Sequence, residues 1–153
     1  GAEHPDVASS LENLAWVCWK RGELEEGFDF AERALSMTEA LLGESHPKYA
    51  AAAVVAAHIA LARGRAGDCL PALERALDSM QRRTDAPPET VPDTRFALAR
   101  ALWEAPVTDG RDRARAFELA ERARTEYREL PVTPPDLEQV ESWLATHRHP
   151  RGR

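Results

Sequence analysis

The sequence predicts an all-α solenoid of three antiparallel helix pairs closed by a C-terminal capping helix. Three observations lead there. First, His4-Pro5 through Leu35 returns as His46-Pro47 through Leu77, 42 residues later; Arg21-Gly22 matches Arg63-Gly64, and Glu32-Arg33-Ala34-Leu35 matches Glu74-Arg75-Ala76-Leu77. Second, a looser third copy ends in Glu121-Arg122-Ala123-Arg124. Third, the apolar residues inside each copy recur at i, i+3, i+4 and i+7, one face of an α-helix. A repeat of about 20–50 residues marks a unit that cannot bury its apolar face alone and stacks on its own copies.

Each element has its local reason. Pro5 and Pro47 stand where a helix begins, the position at which a missing N–H costs nothing. A helix over 7–20 turns Leu11, Leu14, Ala15 and Cys18 inward, and Gly22 breaks it. The next, over 24–42, turns Phe28, Ala31, Ala34, Leu35 and Leu41 inward, and Gly43 ends it. A third covers 47–62 and stops at Gly64. Its partner, over 68–83, contains Pro71, which is tolerated only in the first turn, so Asp68 is the expected N-cap. Pro87, Pro88 and Pro92 make 84–92 a connector. The third pair covers 93–104 and 112–130, with a longer internal loop at 106–111. Pro131, Pro134 and Pro135 break the chain again. The last helix, 135–147, carries Leu137, Val140, Trp143 and Leu144 on one face. Glu138, Glu141 and Ser142 supply the polar outer face that a terminal solenoid element needs. The expected organisation is one repeat domain over 1–148, with repeats at 5–43, 47–83 and 93–130 and a capping helix at 135–147. A disordered tail at 149–153 follows.

Composition narrows the function. With 153 residues, 43% hydrophobic and 30% charged, the chain has enough length for a core. A net charge of −6 and the lack of a basic face exclude a general nucleic-acid binder. No apolar run approaches the roughly 20 residues of a membrane span, and no signal peptide opens the chain. The first residue is Gly1 and the repeat starts at His4, so the expectation is a fragment of a longer protein with Gly1-Ala2 an expression scar. Cys18 and Cys69 are too few for a disulfide framework or a zinc site and fit a reducing, cytoplasmic setting.

The first copy, "HPDVASSLENLAWVCWKRGELEEGFDFAERALSMTEALLG", resembles the tetratricopeptide repeat in the 42-residue form of kinesin light chains. Leu11, Leu14-Ala15, Gly22, Ala31 and Ala34-Leu35 stand at that family's packing positions. The second copy departs with Ala53, Ala56 and Pro71; the third keeps Leu98-Ala99 and Leu102. A further resemblance joins "DTRFALARALWEAPVTDGRDRARAFELAERAR" and "LEQVESWLATHR" to the C-terminal repeats of bacterial serine/threonine protein kinases. Neither a Gly-rich phosphate loop nor a His-Arg-Asp loop is present, so such a catalytic domain would lie upstream of Gly1.

On the helix that opens each copy, a second face lies one residue round from the packing stripe. It carries Glu12, Trp16 and Trp19 in the first copy, Val54, His58 and Leu61 in the second, and Phe96, Arg100 and Trp103 in the third. The family resemblance implies that this face lines a concave groove that takes up peptides. Its aromatics each offer about 150–250 Å² of buriable surface. Two structural alternatives stand beside it: the C-terminal helix folds over the groove, or the stripe packs on missing repeats or a second copy. Lys20 and Arg100 are the cations near the stripe, too few for a carboxylate clamp.

No metal site is expected, because the His147-x-His149 pair has no carboxylate or thiolate close by. Both cysteines read as small core residues, and no nucleophile–base pair can be assembled. Arginines between Arg111 and Arg128 alternate with acids as a solvated face. The predicted function is therefore a non-catalytic protein–protein interaction module without cofactor, binding a peptide or protein segment within a larger signalling protein such as a kinase. The alternatives are a homo-oligomerisation domain docking through the open edge of the first unit, or a ligand-sensing regulatory repeat domain.

Overall fold

A computed structural model describes residues 4–152; Gly1 and Ala2, expected as a scar, lie outside the described residues. The order is α1 (Pro5–Arg21), α2 (Leu24–Leu42), α3 (Pro47–Ala62), a 3₁₀ turn (Ala66–Cys69), α4 (Leu70–Gln81), α5 (Thr90–Glu104), a second 3₁₀ turn (Val107–Asp109), α6 (Arg113–Arg128) and α7 (Pro135–Thr146). The pairs α1/α2, α3/α4 and α5/α6 stack in order, and α7 packs on α6. There is no strand among the described residues. The all-α solenoid is thus the observed fold.

Helix ends follow the local chemistry. His4 and His46, one repeat apart, are N-caps: each Nδ1 accepts from the backbone N–H two residues on, Asp6 and Lys48 respectively, at 3.1 Å. This satisfies one donor that the first turn leaves without a partner. Gly22 closes α1 in the left-handed region, at φ 77°, and its N–H reaches back to the carbonyls of Cys18 and Trp19. At α4 the cap differs from expectation. Pro71 does sit in the first turn, but Cys69 is the N-cap, because the preceding residues coil into the 3₁₀ turn. Asp68 pairs instead with Arg65 at 3.0 Å.

The largest core lies between the second and third units and contains Tyr49, Leu73, Met80 and Leu98, all fully buried. α3 is apolar on nearly every side, as a helix enclosed by neighbours must be. Its alanines leave room for Leu70, Leu73 and Leu77 of α4, so the small residues of the second copy are matched by larger ones across the interface. Both cysteines are buried. The Cys69 thiol donates to the Ala66 carbonyl, and burial pushes its pKa up to about 12.

Two expected core residues are exposed. Leu14 is 45% exposed and Leu41 36%. For Leu14 the repeat supplies the reason. Its counterparts Ala56 and Leu98 are buried because a preceding helix pair covers them, and α1 has none before it among the described residues. The tail also differs: His149, placed in a disordered segment by the sequence, is 2% exposed and meets Phe117 edge-on at 5.5 Å. Its Nδ1 accepts from the Arg151 N–H, which leaves the Nε2 proton facing Glu118 at 3.5 Å.

One core position is charged. Arg95 holds the register position of Leu11 and Ala53, yet its side chain is only 3% exposed. Its Nε donates to Glu126 at 2.6 Å, and Gln81, with its amide oxygen turned to the guanidinium, accepts from Nη1 and Nη2 at 3.0 and 3.2 Å. Removing one partner of a buried pair strands the other. Glu126→Ala is expected to lower stability by about 3 kcal/mol in urea unfolding, whereas Arg95→Met with Glu126→Leu recovers most of it.

Candidate functional site

The inner helices of successive units, α1, α3 and α5, stand side by side, and the residue after each buried alanine turns to the concave side. Trp16 follows Ala15, His58 follows Ala57 and Arg100 follows Ala99. Together with Trp19, Val54, Leu61 and Phe96 they line one cleft of about 900 Å³.

α7 supplies a fourth wall. Asp136, Gln139, Trp143 and His147 line the same cleft, each 43 residues beyond Asp93, Phe96, Arg100 and Glu104. α7 is therefore placed like the first helix of a fourth unit. The polar face that would meet its missing partner, including Glu138 and Ser142, is exposed.

Three residues expected in the groove fall outside this cleft. Glu12 lies one turn below Trp16, in a small crevice with Pro5, Thr38 and Lys48. Lys20, in the last turn of α1, points to solvent. Trp103 is covered by α7: its ring meets Trp143 edge-on at 5.4 Å and His147 at 4.9 Å, and Arg113 lies over it at 5.0 Å. His147 in turn stacks on Trp143 at 4.0 Å and donates from Nδ1 to the Trp143 carbonyl at 2.7 Å. Phe96, edge-on to Trp143 at 6.2 Å, is largely buried by the same helix. The C-terminal helix thus fills one end of the groove and leaves the Trp16–Trp19 end open, where the two rings meet edge-on at 5.4 Å.

The cleft also gathers charge that the repeat pattern did not disclose. Asp93 accepts a short hydrogen bond from the Tyr127 hydroxyl. Burial, then the carboxylates of Asp136 and Glu89, raises the Asp93 pKa to about 6 against the pull of Tyr127. Tyr127 is itself pushed up by burial and by Asp93. His58 is driven down to about 4 by burial and by Arg100, whose Nη1 lies 3.5 Å from its Nδ1. Its imidazole is neutral and accepts. Arg100, over the Phe96 ring at 5.9 Å, is the cation of the cleft.

Residues 6–82, about half of the chain, match the family model described as tetratricopeptide repeat. The chain belongs to the tetratricopeptide repeat family. Such repeats generally mediate protein–protein interaction. No curated protein sequence matches the chain. Among solved structures, it is similar to a putative kinesin light chain of Podosopora anserina with nearly identical TPR-like repeats: TM-score 0.73, 22% identity, 94% of this chain and 66% of that one. A methionine-substituted form of that protein superposes equally well. BtubC (BKLC) from P. vanneervenii is similar over 92% of this chain and 55% of its own, with TM-score 0.71 and 22% identity. The chain thus spans less than two thirds of either protein, and the likeness is one of tetratricopeptide fold.

Asp93 gives this groove a titration signature. Its folded pKa lies above the unfolded value near 3.8, so its contribution to stability grows as pH falls through about 6 and is complete near 4. Asp93→Asn, which still accepts from Tyr127, is expected to melt about 2 °C higher than the parent at pH 7.5. Melting curves of the two should converge between pH 6 and 4.

Proposed function

We propose that this chain is a non-catalytic interaction module that holds an extended peptide or protein segment in its concave groove. The observation that carries the reading is the alignment of Trp16, His58, Arg100 and Trp143, one residue from each of four repeat-related helices, along a single open cleft. Two tryptophans at its free end offer a large apolar surface with polar neighbours, the composition of a recognition site rather than of a core. The resemblance of the C-terminal third to the repeats of bacterial serine/threonine kinases supports a cytoplasmic signalling protein, where the module brings substrates or regulators to a catalytic domain.

Retention of proteins from a bacterial lysate on the immobilised chain tests the reading. Trp16→Ala, checked for unchanged helicity, should lose the retained proteins; equal retention by the variant would remove the groove from the account.

One observation favours self-association as a second reading. Leu14 and Val17 are 45% and 50% exposed on the outer side of α1, whereas their counterparts Ala56 and Ile59, Leu98 and Ala101 are buried. The opposite end of the solenoid is closed by the polar face of α7, so a second copy would pair α1 with α1, and Asp6 with the Lys20–Arg21 end of its partner helix. Sedimentation at rising concentration should then show a dimer that Leu14→Glu/Val17→Glu abolishes, with the monomer's melting temperature unchanged.

A further inference from the structure

The groove is unevenly charged, and that unevenness names the kind of segment it suits. Asp93, Asp136 and Glu104 line it, against one cation, Arg100, since His58 is neutral. Four carboxylates outside the cleft are tied to arginines of neighbouring elements: Glu25 to Arg63, Glu44 to Arg75, Glu74 to Arg115, and Glu141 to Arg128. Among the described residues, none of the three groove carboxylates has a cationic nitrogen within ion-pair distance. Asp93 of α5 and Asp136 of α7 line the same cleft and repel each other electrostatically, and Asp93 accepts from the Tyr127 hydroxyl. Two like charges in a half-buried cleft repel, and a cation seated between them removes that repulsion. Trp16, Trp19, Phe96 and Trp143 line the same cleft, and aromatic faces attract cations.

Resting on the groove reading above, we propose that the occupant is a basic segment: an extended stretch whose lysine or arginine side chain sits between Asp93 and Asp136, and whose apolar or aromatic side chain reaches Trp16 and Trp19. Arg100 and Gln139, between these two points, face the backbone of the segment; Arg100 donates to its carbonyls, as an extended chain in a cleft requires. The charge of the segment is the specific claim. A groove for an acidic segment would place several cations along the cleft; among the described residues this one places one, Arg100, which interacts electrostatically with Glu104, and leaves Asp93 and Asp136 without a cationic partner.

Selection of a random dodecapeptide display library on the intact chain tests both layers. The expected result is enrichment of peptides with lysine or arginine about seven residues from a tryptophan, phenylalanine or leucine. A fluorescein-labelled consensus peptide should bind more than tenfold more weakly to Asp93→Asn/Asp136→Asn, a variant whose cooperative unfolding is checked beforehand. It should weaken steeply with salt, and its Lys→Glu version should bind worst of all. Enrichment of acidic peptides, or equal binding by the Asp→Asn variant, overturns the charge assignment while leaving the groove reading in place, provided that Trp16→Ala still abolishes binding. Peptides whose binding ignores Trp16→Ala, or a library with no enrichment, overturn both.

Discussion

Everything in this molecule depends on how closely the two helices of each unit approach. Ala15, Ala57 and Ala99 on the first helices, and Ala34, Ala76 and Ala123 on the second, are all without exposed surface. They recur in register with the repeat. A methyl group at each crossing keeps no bulky side chain between the two backbones. Gly27 sits at the α1/α2 crossing: a Cβ there would stand 3.0 Å from the Cys18 Cβ and 3.3 Å from the Ala15 carbonyl oxygen. A larger side chain at such a crossing typically costs about 1–3 kcal/mol in strain. The same columns aim the groove, because each alanine of the first helices is followed by the residue that faces the cleft. Packing and the lining of the cleft are thus set by adjacent positions of one register.

That coupling explains what the sequence could and could not convey. The register was visible as a 42-residue repeat, so the helix pairs and the line Trp16, His58, Arg100 followed from it. Leu14 was misplaced because periodicity shows which face is apolar, not whether a neighbour covers it. Asp93, Tyr127 and Asp136 were missed because each lies on a different helix and no single stretch carries a motif. α7 was expected to be a cap, and it does present a polar outer face. Its role as a fourth wall was hidden because the longer loop before α6 and the Pro-rich link after it shift the spacing from 42 to 43 residues. Position near the chain end alone reads His149 as tail; its ring is buried against the Phe117 ring.

The two ends of the solenoid differ chemically. At the C-terminal end α7 buries Val140 and Leu144 inward and turns Glu138 and Ser142 outward. At the other end α1 leaves Leu14 and Val17 uncovered where later units bury the same positions. A stacked array gains most of its stability from nearest-neighbour interfaces, and an end without a neighbour loses that term outright. Among the described residues no helix pair covers α1, and one set against it would bury Leu14 and Val17 as the first pair buries Ala56 and Ile59 of α3.

The groove's geometry limits what can occupy it. The open aromatic end belongs to α1 and the carboxylate pair to α5 and α7, because Trp143 and His147 have closed the space over Phe96 and Trp103. Two helix-to-helix steps of about 9–10 Å separate α1 from α5, and Asp93 lies two turns nearer the helix start than Arg100, the register equivalent of Trp16. The separation is then about 22 Å. An extended chain advances about 3.3 Å per residue, so roughly seven residues bridge it, while a helix would need about fifteen. A helix about 10 Å across would also have to pass Arg100 and His58, which project between the two ends. An extended segment meets both ends at once with its backbone beside Arg100. On the proposed reading, the C-terminal helix, by filling one end of the cleft, selects an extended occupant over a helical one.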